Sequence, residues 1–243
     1  MEALAPPRRS AGRVILLILG SILTAAVIAI SAFLLLDLAA RHSFETTAAY
    51  PHVRTLVVRT GAGDVMLTRA PAGAALVVKA HETDGLFKPK IHARMASGGV
   101  LTLTASCPGL QCSAHYNLAI PPDVTVKVSS GFGDITATGL TSASSIQLGT
   151  TAGAIHATGL DASSVKLSTG VGELTAALAH PAHTLTASTV AGGMTLAVPD
   201  TTYVVHANSG VGRVSDGRLQ IDASSPRTID ATSSLGNITI SPR

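Results

Sequence analysis

Three sets of residues in this chain have types and spacings that could do chemistry. Cys107 and Cys112 enclose only Pro-Gly-Leu-Gln. In an oxidising compartment such a pair is most simply a disulfide closing a tight loop. A loop that small contributes about 2 kcal/mol in the chain-entropy picture. Redox chemistry would want CxxC spacing with a helix behind it, and neither is present in the pattern. His180 and His183 have HxxH spacing, but Pro181 interrupts them and no third ligand lies nearby, so they read as loop residues rather than zinc ligands. Asp64, Asp134 and Glu173 each follow a glycine in related phrases and could form a calcium ladder. Ala154, Gly193, Arg213 and Asn237 break that series, and calcium-binding nonapeptides place their acid differently. These acids therefore read as turn residues, and His156 and His206 as solvated outward positions.

Other activities fail on what they require. The Gly-x-Gly turns resemble phosphate cradles, but such cradles need a helix whose N-terminal amides meet the anion, and no helical pattern follows residue 40. Glycan cleavage needs two carboxylates converging across a cleft, whereas the acids here are scattered over turns. An ice-binding threonine array is ruled out by the irregular series Thr136/Thr138, His156/Thr158, Thr175/Ala177 and Thr195/Ala197. The expectation is a non-enzyme with no cofactor and no metal.

The elements that carry these residues are set by a recurring phrase. It begins as Val126-Lys-Val128 through Gly133-Asp-Ile135-Thr-Ala137. It returns with Ile146, Leu148, Gly153, Ile155 and Ala157, then with Val165, Leu167, Gly172, Leu174 and Ala176. Weaker copies centre on Gly192, Gly212 and Gly236, and Gly63 carries a lower-fidelity one. From Gly133 onward the glycines step by 20, 19, 20, 20 and 24 residues. A fixed period of this size marks stacked supersecondary units. Within each unit apolar and polar residues alternate, the pattern of half-buried strands. Aromatics are only 3% with no Trp, which suits a narrow aliphatic core packed layer on layer. The expected fold is all-β: a β-solenoid of ~20-residue coils, preceded by an antiparallel β region and one N-terminal transmembrane helix.

Val14 to Leu36 carries no charge and is long enough to span a bilayer as a helix. Arg8, Arg9 and Arg13 precede it, so the positive-inside rule places the N-terminus in the cytoplasm and exports the rest. A cleaved signal peptide ending near Leu38-Ala39-Ala40 is the competing reading, disfavoured by the length of the apolar run. Ser21, Ala25 and Ala29 share a small-residue face that admits close helix approach. The expected organisation is a cytoplasmic arm (1–13), a transmembrane helix (14–36), a linker (37–53), an N-terminal β region with a disulfide loop (54–120) and repeats (121–243). Lys79, Lys88, Lys90 and Arg94 form a basic cluster interspersed with Glu82 and Asp84, which reads as a solvated hairpin. Residues 42–243 hold 13 Lys/Arg against 12 Asp/Glu, which does not suit a nucleic-acid binder. The C-terminus follows the last strand with no obvious cap, which points to end-to-end homo-oligomers.

The SxGxG[DE]-[IVL]-x-[AVL] units, the Cys107–Cys112 loop, the Tyr116 to Pro121-Pro122 lead-in and the single N-terminal span resemble the bacterial "putative adhesin" family of β-strand-repeat proteins, a domain of unknown function. The resemblance covers roughly residues 50–240. It implies an exported β-solenoid with cell-surface or envelope-stress roles, and it supplies no catalytic residues. The functional expectation is a single-pass, membrane-anchored, adhesin-like binding protein whose extracellular C-terminal domain meets cell-wall polymer or an envelope protein. The alternative is an accessory sensor subunit of an envelope-stress system.

Overall fold

The computed structural model describes residues 11–39, 42–84, 90–106 and 113–243. Cys107 and Cys112, and with them the expected disulfide, lie outside the described residues, as does Lys88 of the basic cluster. The chain divides into two units, Met1–Arg41 and His42–Arg243. The first contains the helix α1 (Ala11–Ala39). Its window Leu16–Phe33 is long and apolar enough to cross a membrane by length and composition. Two of its hydroxyls are satisfied inside the helix, Ser21 Oγ donating to the Ile18 carbonyl and Thr24 Oγ1 to that of Gly20.

The second unit is β throughout. Its strands in chain order are β1 (His42–Tyr50), β2 (Thr55–Ala62), β3 (Val65–Arg69), β4 (Leu76–Asp84), β5 (Lys90–Ala96), β6 (Val100–Ser106), β7 (Ser113–Ile120), β8 (Thr125–Phe132), β9 (Ile135–Thr138), β10 (Thr141–Ala152), β11 (Ile155–Val171), β12 (Leu174–Leu178), β13 (Thr184–Ala191), β14 (Met194–Val198), β15 (Thr202–Val211), β16 (Val214–Ser215), β17 (Gln220–Ile221), β18 (Thr228–Leu235) and β19 (Ile238–Pro242). Most pair in parallel, each two-strand unit forming a rung on its neighbour: Ile146 sits beside Val126 and Val165, and Ile155 beside Ile135 and Leu174. The long β11 serves two rungs. Its first half continues one sheet beside β9 and β12, and its second half continues the other beside β10 and β13.

Inward residues form buried columns whose sizes compensate across the rungs. Where one sheet carries Val128, Leu148 and Leu167, the same rungs of the other carry Ala137, Ala157 and Ala176. Further along, Leu196 and Ile240 occupy the second sheet and Ala187 and Ala231 the first. Constant volume per rung is what close packing demands. It is met here without aromatic side chains.

Rung order in space departs from chain order at both ends. β6 and β7 pair in parallel with β2 and β3 on the side away from β8 and β9. They are thus a rung of the same stack. Among the described residues antiparallel pairing is confined to the far side of that rung, where β4 lies on β7, β1 on β4 and β5 on β6. At the other end the last strands are interior. β18 lies between β13 and β15, and β19 between β14 and β16. The last strand of the chain, expected from sequence to lie uncapped, is thus covered, and the terminal rung is β15/β16, where buried Tyr203 donates its hydroxyl to the Pro199 carbonyl at 3.0 Å. The order breaks where the glycine spacing does. The 24-residue final step gives the chain room to return past β15.

Tyr116 is buried in the β7 rung, and its hydroxyl meets no partner among the described residues. Burial, followed by the nearby Glu82 carboxylate, pushes its pKa up to about 12. A tyrosine whose folded pKa is raised protonates more readily folded than unfolded, so its contribution is intact below pH 10 and is lost as pH climbs from 10 towards 12. Alkaline unfolding of Tyr116→Phe should therefore be shallower than wild type across that window. Urea midpoints at pH 8, 10 and 11.5 check it.

Candidate functional site

The turn row is the most regular polar feature. Gly63, Gly133, Gly153, Gly172, Gly192, Gly212 and Gly236 all have φ between 125° and 151°. A Cβ built on Gly153, Gly172, Gly192 or Gly236 would overlap the carbonyl oxygen of the stacked turn glycine beside it. Glycine is thus required twice over, by dihedral and by space. Three residues before each glycine stands a Ser or Thr pointing inward. Thr150 Oγ1 donates to the Gly133 carbonyl at 3.0 Å, Thr169 Oγ1 to that of Gly153 at 2.9 Å, and Ser209 Oγ to that of Gly236 at 2.8 Å.

The acids behind the glycines act along the stack. Asp64 Oδ1 accepts from the Asp134 amide at 2.9 Å and Asp134 Oδ1 from the Ala154 amide at 2.7 Å. Asn237 Oδ1 accepts from the Arg213 amide at 2.9 Å. Glu173 instead accepts from its own neighbour Thr175 at 3.5 Å. Each Asp satisfies a backbone donor on the next rung, which is a structural task. No group of three His, Cys, Asp or Glu suited to a metal forms among the described residues. His180 pairs with Asp161 at 3.2 Å, and His183 spends its amide and carbonyl on rung-to-rung hydrogen bonds. His156 and His206 are exposed.

Sequence reasoning missed one constellation. Ser113 Oγ lies 3.2 Å from His115 Nε2, and His115 Nδ1 lies 3.3 Å from Asp64 Oδ2. The residue types match a hydrolytic triad, but the protons do not. Nδ1 accepts from the Asp64 amide at 3.2 Å, so the neutral ring carries its hydrogen on Nε2 and donates to Ser113. A base in that tautomer has no lone pair for the serine proton. Both His115 and Asp64 are also largely open to water. The group is therefore a polar clasp between β7 and the β2–β3 turn. The wide sequence separation left no local signal for it.

The second feature missed is a basic row on the outer face of one sheet. Pairing sets Lys127 beside Val57 and Gln147, Gln147 beside Lys166, and Arg59 beside Ser129. Arg59, Lys127 and Lys166 are exposed, and Gln147 is half-buried between the two lysines. At ~4.8 Å per strand the lysines stand ~10 Å apart. Asp230 is the first carboxylate along this row, reached from Lys166 only across Thr186. Two shallow depressions share this floor. One of about 280 Å³ is lined by Val57, Arg59, Lys127, Ser129 and Gln147, and one of about 200 Å³ by Gln147, Gly149, Lys166 and Ser168. The signal lay in the phrase itself, since Lys127 and Lys166 hold equivalent positions in their repeats. By contrast Lys79 belongs to the other sheet, opposite Asn117 on β7, and shares no row with Lys90 and Arg94 on β5.

The family model described as Toastrack DUF4097 matches residues 43–241. Among curated proteins none matches. Among solved structures, a "putative cell adhesion protein" from Clostridium sporogenes has TM-score 0.52 at 14% identity, covering 83% of this chain and 100% of its own. A "putative adhesin" from Bacteroides fragilis has TM-score 0.42 at 11% identity, covering 83% and 97%. At such identities the first of these likenesses speaks for the fold alone.

Proposed function

Because the chain belongs to the Toastrack DUF4097 family, we propose that it is a non-catalytic, adhesin-like binding protein of the bacterial cell envelope. In this reading α1 anchors it and His42–Arg243 is exported as a β-solenoid of stacked ~20-residue coils. The names of its structural relatives and the apolar run Leu16–Phe33 support that placement. The in-register parallel pairs support the solenoid reading.

The observation that carries the binding role is the pair Lys127 and Lys166 either side of Gln147, with Arg59 two residues along on the neighbouring strand, on an open sheet face with hydroxyl-bearing neighbours. Open polar faces with only shallow depressions suit extended chains rather than small molecules. Lysines ~10 Å apart match a polymer with recurring negative charge, such as a phosphodiester wall polymer. The test is co-sedimentation of the full-length chain, in neutral detergent, with poly(glycerol phosphate) and with neutral dextran. Retention is expected on the anionic polymer alone, weakening with salt. The double variant Lys127→Glu/Lys166→Glu should lose it at least tenfold while keeping its thermal transition. Equal retention of wild type and double variant would refute the assignment.

A further inference from the structure

A second exposed row runs beside the turn glycines, and it is apolar. The residue before each glycine pairs with its counterpart on the next rung, giving the spatial series Ala62, Phe132, Ala152, Val171, Ala191, Leu235 and Val211. The four large members are well out in solvent: Phe132 65%, Val171 60%, Leu235 53% and Val211 66% exposed. Large and small residues alternate from Ala62 to Leu235, so the row is a ridge of knobs separated by alanine gaps. At ~4.8 Å per rung it is ~29 Å long. An exposed apolar strip of this length calls for an occupant.

The residues just past the glycines give the ridge a polarity. In the same spatial order they are Asp64, Asp134, Ala154, Glu173, Gly193, Asn237 and Arg213. One end is acidic and the other basic. A copy laid alongside in the same direction would set Asp134 near Asp134 and Arg213 near Arg213. A copy rotated by a two-fold axis between the Val171 and Ala191 rungs does the opposite. It brings Arg213 to Asp134, Leu235 over Ala152, and Val171 over Ala191, and it leaves Glu173 facing Gly193 rather than itself.

We propose that the turn ridge is a self-association surface on which a second copy of this chain docks antiparallel, through an isologous two-fold contact. The strip offers on the order of 300 Å² a side, well short of the ~800 Å² of a stable interface. The dimer is therefore weak and reversible, forming at high local concentration. The pairing is independent of the basic row, which lies on the sheet face rather than at the turn.

Sedimentation velocity of the full-length chain in neutral detergent, from 5 µM to 1 mM, tests it. Wild type should pass from monomer to dimer across that range. Val171→Glu, at an exposed site, should raise the dissociation constant at least tenfold without changing the circular dichroism. Arg213→Glu should weaken association by a similar factor, and so should Asp134→Asn, which keeps the oxygen that accepts from the Ala154 amide, with the double variant no weaker than either alone. A chain that stays monomeric to 1 mM overturns the proposal. So does association untouched by Val171→Glu, which would assign it to α1. Losses that add in the double variant overturn the antiparallel docking.

Discussion

Gly172→Ala lowers the stability of the β unit by about 3–4 kcal/mol, whereas Gly193→Ala, the same exchange one rung away, leaves it within about 0.5 kcal/mol. Gly172 has φ of 148°, and an added Cβ would overlap the Gly153 carbonyl oxygen. A side chain there costs roughly 1–3 kcal/mol in backbone strain. Relief of the overlap must push the neighbouring carbonyl away, and that carbonyl accepts from Thr169 Oγ1 at 2.9 Å. Loss of that buried bond adds about 1–2 kcal/mol. Gly193 has open space around its Cβ position and no positive φ, so alanine gains a little from reduced freedom of the unfolded chain. Urea unfolding of the two variants side by side checks the contrast. Similar losses at both positions would mean that the stacking of turns is not what the glycines serve.

Ending the chain at Ser225 has a still larger effect, of more than about 5 kcal/mol, because it removes an interior rung rather than a terminal one. Among the described residues β15 pairs only with β17 and β18, and β16 only with β19. Without β18 and β19, residues 202–221 have no sheet to join. Ile229, Ile238 and Ile240, all fully buried, are lost from the core, and Leu185, Ala187, Met194 and Leu196 lose their cover. Replacing residues 200–225 by a link of the length found between Leu178 and Thr184 should be far milder, since β18 and β19 keep their places on β13 and β14. Hydrogen exchange reads the difference directly: the truncated chain should lose protection through β13 and β14, and the shortened one should keep it. If both lose it alike, the interior placement of the last rung is not what holds that end together.

The rungs from Thr125 to Val198 were legible because their information is local. Val126, Val128, Ile135 and Ala137 alternate with polar residues, and Gly133 marks the bend. Two things were not legible. The segment between β6 and β7 does not carry the Ser-x-Gly-x-Gly phrase, so the alternating Leu101, Leu103, Tyr116 and Leu118 read as a separate sheet. The spatial order of rungs is long-range information that a period-two pattern does not hold, since each strand alternates identically whichever neighbour it meets. The candidate binding row illustrates the same limit. Lys127 and Lys166 were visible as equivalent positions, but Arg59, about 70 residues before the first of them, comes beside them only because β2 stacks on β8.

The alternation of bulk between the two sheets has a consequence for fidelity. Near-identical repeats are prone to misregistration, one coil settling where its twin belongs. Here such a slip is self-defeating. Shifting the Leu196 strand into the place of Ala176 would set leucine opposite Leu167, and overfilling of that kind costs about 1–3 kcal/mol. Shifting the other way would leave alanine facing Ala187 across a void. Units that look interchangeable in one dimension are therefore sorted by volume in three: rungs with their bulk on one sheet and rungs with it on the other cannot trade places.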